Sequence, residues 1–105
     1  MTDSVKPRLG VEDLLKDKRD EILRLAEKHG ASNVRVFGSV ARGEANEDSD
    51  IDFLVDWDYE RISEWGGAGL YEALEAILGR HVDIASENQL RPGMKASILK
   101  DCVPL

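Results

Sequence analysis

Apolar residues early in the chain recur at helical spacing: Val11, Leu14, Leu15, Ile22, Leu25 and Ala26, with Lys, Arg, Asp and Glu between them. This stripe predicts an amphipathic helix, stopped by Gly30. The period then changes. Asn33 to Phe37 (NVRVF) is short and β-branched, which predicts a strand running into Gly38-Ser39, a helical turn and a polar loop to Ser49. Ile51, Phe53 and Val55 alternate with Asp50, Asp52, Leu54 and Asp56, the two-residue repeat of a second strand. Gly66, Gly67 and Gly69 form a flexible lead-in to another helix, with Leu70, Tyr71, Leu74, Ile77 and Leu78 as its apolar positions and Gly79 at its close. His81 to Ala85 (HVDIA) predicts a third strand with Val82 and Ile84 on one face. Pro92 opens a last short helix whose expected buried stripe is Met94, Ile98, Leu99 and Cys102. The order α-β-β-α-β-α predicts an α+β fold: a small mixed sheet with helices mainly on one face, the other face left for chemistry.

A length of 105 residues fits one domain. Residues 11–105 are read as that domain, and Met1 to Gly10, polar with an early proline, as a flexible segment ordered at most on docking. No apolar run approaches the roughly 20 residues of a membrane span, and the first ten residues lack the apolar stretch of a signal peptide. The single cysteine, Cys102, cannot form an internal disulfide. Together these features predict a cytoplasmic protein with no membrane partner. Charge narrows the function further. With 14 Lys and Arg against 21 Asp and Glu, the chain carries −7, whereas a free-standing nucleic-acid binder needs a basic footprint. Direct nucleic-acid binding is not expected. Phosphates must be handled through a metal, a local cluster or a partner.

Candidate chemistry concentrates in the carboxylates. Side chains two apart on a strand share a face, so Asp50 and Asp52 point the same way, about 7 Å apart at their Cα atoms. Val82 and Ile84 on one face put Asp83 on the other. If the two strands pair, three carboxylates share one patch. Without a cation they repel and their pKa values rise; magnesium, with its preference for oxygen, is the natural occupant. A run as acidic as Glu44 to Asp58 also reads as a solvated surface, so the pattern alone leaves metal binding open. Asp48, Asp56 and Asp58 are taken as solvent charges, Asp56 lying about 13 Å along the strand from Asp52. Two rival motifs fail. A calcium loop opening at Asp48 requires glycine and a late glutamate where Phe53 and Tyr59 stand. A P-loop built on Gly38 and Gly43 requires Lys and Ser/Thr where Glu44 and Ala45 stand.

Gly38-Ser39 at the end of a strand offers backbone N–H groups and a hydroxyl to an anion. That signal is weak by itself, because glycines at strand ends are mostly turn residues. Followed by ten residues, then Asp50-Ile51-Asp52, then Asp83 on a later strand, it becomes specific. The constellation resembles the polymerase-beta-like nucleotidyltransferases. More narrowly, GSVARGEANEDSDIDFLVDW followed by LGRHVDIAS is similar to the minimal nucleotidyltransferase domains, and the likeness runs from the first helix to the ILKDCVPL tail. The resemblance implies that Gly38 and Ser39 grip a nucleotide triphosphate, that Asp50 and Asp52 ligate magnesium, two ions in all, and that Asp83 completes the metal site and helps deprotonate the attacking hydroxyl. It further implies ATP as the substrate and a HEPN-domain ribonuclease toxin as the partner, silenced by adenylylation of a tyrosine. Two alternatives stay open: an antitoxin that occludes its partner without catalysis, and a transferase acting on RNA or a small molecule.

Other residues carry weaker expectations. Arg42, in the loop after Ser39, is a candidate phosphate contact, and equally a surface or loop-fixing arginine. Arg35 and Arg80 are read as surface charges. His81 shares the Asp83 face two residues away, His29 sits near a helix C-terminus, and Trp57, Tyr59 and Trp65 flank a segment without a clear pattern. Any of these aromatics can stack on a base or form a partner surface, with partial core packing the plainer reading.

Overall fold

The computed structural model describes residues 8–60 and 68–105. Trp65, Gly66, Gly67 and most of the N-terminal segment lie outside the described residues. Of that segment, Leu9 forms an antiparallel bridge with Ala45, its N–H donating to the Ala45 carbonyl at 2.8 Å and its carbonyl accepting at 3.0 Å.

The first amphipathic stripe folds as two helices rather than one. A single turn, α1 (Val11–Leu14), leads through a 3₁₀ turn at Lys16–Lys18 into α2 (Arg19–Lys28). The charged run Lys16-Asp17-Lys18 has no apolar group to bury, and the break at Leu15 leaves that side chain fully buried together with Ile22. After α2 come β1 (Ala31–Phe37), the short helix α3 (Gly38–Ala41), β2 (Ile51–Trp57), α4 (Ala68–Leu78) and β3 (Val82–Ala85). A 3₁₀ turn at Glu87–Gln89, α5 (Pro92–Asp101) and β4 (Val103–Pro104) complete the chain. Gly69, expected in a flexible lead-in, belongs to the first turn of α4, where a Cβ would press against the His29 ring.

The sheet is mixed, as expected, in the order β3-β2-β1-β4. β1 runs antiparallel to β2 and β4, while β2 and β3 are parallel and joined through α4. β4 was not legible in the sequence: a two-residue strand containing proline is tolerated only at an edge, and this one lies at the edge beside β1. One face of the sheet packs Val34, Val36, Ile51, Phe53, Val55, Val82 and Ile84 against Leu15, Ile22, Ala26, Leu70 and Leu74. Each fully buried large apolar side chain contributes roughly 1.5–3 kcal/mol, so this layer sets the register of the strands.

The second face is less open than the alternation suggests. Leu54, on the Asp52 side of β2, is fully buried. Its register partner Arg35 is buried as well, 7% exposed, and is not the surface charge expected of it. Arg35 donates from Nη2 to Asp56 and from Nη1 to Glu87, both at 3.1 Å, and from Nε to the Asn33 carbonyl at 3.0 Å. Asp56 is therefore a structural acceptor rather than a plain solvent charge, and it also accepts from Asn33 Nδ2 at 3.0 Å. Asn33 carries a positive φ of 50° within the register shift between Ser32 and Arg35. In α5 no residue is fully buried: Met94 is exposed, and Ile98, Leu99 and Cys102 are half-buried, so the expected buried stripe is only partial. Among the described residues no helix is long and apolar enough to cross a membrane.

Candidate active site

Strand register decides which carboxylates meet. Asp52 is paired with Phe37 of β1 on one side and with Asp83 of β3 on the other. Burial of Ile51, Phe53, Val82 and Ile84 toward the core leaves Asp52 and Asp83 side by side on the opposite face. Of the three carboxylates expected to share a patch, the ladder brings Asp52 and Asp83 together. Asp50 stands one residue before β2 and is exposed, and its charge acts on Asp52 from the loop rather than from the ladder.

β1 ends at Phe37, and Gly38 opens α3 at a φ of +75°. A Cβ on Gly38 would overlap the Asp52 carboxylate. The glycine therefore serves twice, supplying a left-handed backbone conformation and making room for Asp52. Ser39 is half-buried in the same turn, and its carbonyl accepts the Glu44 N–H at 2.8 Å, drawing the following loop back over α3.

Electrostatics link the same residues. The Asp52 carboxyl is pushed up to about 6, first by burial and then by the charges of Asp83 and Asp50, while Arg42 pulls it down. Asp83, Asp50 and Arg42 thus all act on Asp52. The carboxylate oxygens of the three aspartates are the hard donors that suit magnesium or calcium. Among the described residues, no three His, Cys, Asp or Glu side chains gather closely enough to hold an ion by themselves. Arg42 is exposed and makes long ion pairs, 3.5 Å each, with Glu44 and with Asp101 at the end of α5.

Several supporting contacts were not anticipated. Arg80, expected on the surface, donates from Nη1 to the carbonyls of Asn46 and Ser49 at 3.0 and 3.1 Å, fastening the loop that delivers Asp50. Tyr71, counted among the apolar positions of its helix, donates its hydroxyl to Asp83 Oδ1 at 3.1 Å. Burial is the first cause holding that hydroxyl above its ordinary pKa. His81 is exposed and meets Glu75 of α4 at 3.0 Å through Nδ1. Trp57 and Tyr59, with Asp56, Ser86, Glu87 and Asn88, line a cavity of about 220 Å³ at the other end of β2. Only the alternation of β1 carried a signal for Arg35, and nothing local marked Arg80 or the Tyr71 hydroxyl.

The sequence matches the nucleotidyltransferase domain over residues 16–105. The chain belongs to this family. Among the relatives of this nucleotidyltransferase is the protein adenylyltransferase MntA of Thermococcus cleftensis, 43% identical over 79 residues that span 75% of this chain and 79% of the relative. A solved structure described as that of a minimal nucleotidyltransferase superposes with a TM-score of 0.78 at 46% identity, covering 92% of this chain and 97% of the other. A toxin-antitoxin crystal structure with AMP-PNP has the same fold, with a TM-score of 0.67 at 18% identity over 81% of this chain and 69% of that one. The nucleotidyltransferase is accordingly an enzyme of nucleotidyl transfer, and the Gly38-Ser39 turn and the Asp52–Asp83 pair lie within the matched residues.

Proposed function

We propose that the protein transfers AMP from ATP to a tyrosine hydroxyl of a partner HEPN-domain ribonuclease toxin and so acts as its antitoxin. The observation that carries this reading is the in-register pairing of Asp52 with Asp83 beside the side-chain-free Gly38, in a chain 43% identical to a protein adenylyltransferase. Gly38 and Ser39, with Arg42 beside them, are assigned to the triphosphate. Asp50, Asp52 and Asp83 are assigned to magnesium, whose remaining ligands would be phosphate oxygens and water. When bound, the metal would offset the charge of the phosphates in an in-line displacement. The like charges that raise the Asp52 pKa support this assignment, because a cation relieves the repulsion.

In the transfer itself the acceptor oxygen attacks the α-phosphorus, its proton passes to Asp83, and the bond to pyrophosphate breaks. A protein acceptor is supported by the name of the adenylyltransferase relative, and a toxin partner by the toxin-antitoxin structure of the same fold and by the family resemblance; the net charge of −7 suits a basic, RNA-handling protein. Intact-mass spectrometry tests the reading directly. The partner is incubated with this protein, ATP and magnesium, with an Asp50→Asn/Asp52→Asn control alongside. A gain of one or more adenylyl units, absent in the control, is expected. A stable, inhibited complex with no gain would replace the enzyme reading with occlusion, and full transfer by the double variant would overturn the assigned carboxylates.

A further inference from the structure

α4 closes the free edge of β3 with two side chains one helical turn apart. Glu75 accepts the Val82 N–H at 3.2 Å, and the Tyr71 hydroxyl accepts the Ile84 N–H at 2.9 Å. Val82 and Ile84 present alternate donors of an edge strand, the groups such a strand must otherwise leave to solvent or to another chain. In this respect the two residues do the same work. They differ at Asp83, which lies between the two capped positions.

The Tyr71 hydroxyl has one proton to give. Two acceptors stand near it, Asp83 Oδ1 at 3.1 Å and the Ile84 carbonyl at 3.3 Å. Asp83 Oδ1 is the nearer of the two, and a carboxylate oxygen is the stronger acceptor. Asp83 is exposed, so its own strand does not lock its rotamer. Tyr71, by contrast, packs against the core, and the Ile84 N–H fixes its oxygen. The hydroxyl is therefore a rigid donor aimed at a carboxylate that is otherwise free to turn.

We propose that Tyr71 is a positioning residue for Asp83, pinning Oδ1 so that Oδ2 is presented to the reacting groups. The proposal rests on the reading of Asp83 as a reacting carboxylate. Tyr71→Phe removes the hydroxyl and keeps the ring, and Glu75→Met removes the other edge acceptor without touching Asp83. If the role were only to cap the strand, both variants would behave alike.

Two readouts separate the possibilities. The first is the χ1 rotamer of Asp83, read from NMR couplings in metal-free protein. A single rotamer is expected in the wild type and in Glu75→Met, and averaging in Tyr71→Phe. The second is steady-state transfer, where Tyr71→Phe should lower kcat about tenfold, the usual scale for an outer partner of a reacting ligand, with the KM for ATP unchanged and Glu75→Met near wild type. An unmoved Asp83, or equal kcat losses in the two variants, would overturn the proposal. Rotamer averaging in Tyr71→Phe alongside a wild type that transfers nothing would support the contact and overturn the proposed reaction instead. Should Tyr71→Phe not fold, the wild type decides, because an Asp83 that samples several rotamers with Tyr71 in place is not being positioned.

Discussion

The Asp52 carboxylate occupies the space that a side chain on Gly38 would need. Gly38 follows the end of β1 and Asp52 lies near the start of β2, and the register that pairs Phe37 with Asp52 brings them together. Replacing Gly38 by alanine therefore meets two penalties. At a φ of +75° an L-residue is strained, by roughly 1–2 kcal/mol, and the new methyl displaces Asp52. Gly38→Ala should lower the melting temperature and reduce transfer by about a hundredfold, the scale of a 1 Å misplacement. Thermal melts and a mass-resolved transfer assay check both effects; a wild-type rate would contradict this account.

Asp52 also makes stability depend on pH. Its carboxyl lies near 6 in the folded protein against 3.8 for the ordinary group. Between those values the folded state holds the proton and the unfolded state does not, so stability falls as pH rises through this window and stays reduced above it. Metal-free protein should consequently melt higher at pH 5 than at pH 7. Asp52→Asn should flatten that dependence and raise the melting temperature at pH 7 while abolishing transfer. Calorimetry across pH 4–8 in the presence of a chelator measures it, and an unchanged slope in the variant would count against the burial and crowding of charge that raise the Asp52 pKa.

Arg35 offers a contrast, because its role is confined to the fold. Its guanidinium joins β1 to Asp56 and Glu87. Its partners are partly exposed and can return to water, so Arg35→Met should cost only about 1.5–3 kcal/mol, the range for hydrogen bonds to charged groups. Urea denaturation would show the loss. Transfer measured well below the midpoint should stay near the wild-type rate.

Arg80 acts on the loop ahead of Asp50. Without its two bonds to the Asn46 and Ser49 carbonyls, Arg80→Ala should lose about 1 kcal/mol of stability and a larger share of kcat. Arg80→Lys keeps the charge as a compact ammonium and should restore part of the rate. Equal rates in wild type and Arg80→Ala would show that the loop holds Asp50 without this anchor.

The legible part of the site followed from periodicity. Alternation in IDFLVDW and HVDIA places Asp52 and Asp83 opposite the core residues, and parallel pairing of the two strands then aligns them. Local sequence does not reveal what folds over a polar face. Arg35 is buried because Glu87, 52 positions later, returns across the sheet to meet it. Tyr71 has the same explanation: its ring fits the apolar stripe of α4, but its hydroxyl acquires a partner only when β3 becomes an edge. Val103-Pro104 is too short to carry a strand pattern, and the break between α1 and α2 depends on Leu15 reaching the core.

The edges of the sheet also limit how a protein substrate can approach. The outward N–H groups of Val82 and Ile84 are taken by α4, and the opposite edge is two residues long and includes Pro104, which has no N–H to offer. Neither border invites an incoming backbone to extend the ladder. Under the proposed function, a macromolecular acceptor would instead be read through its side chains, delivering one hydroxyl to the carboxylate face while its own backbone stays outside the sheet.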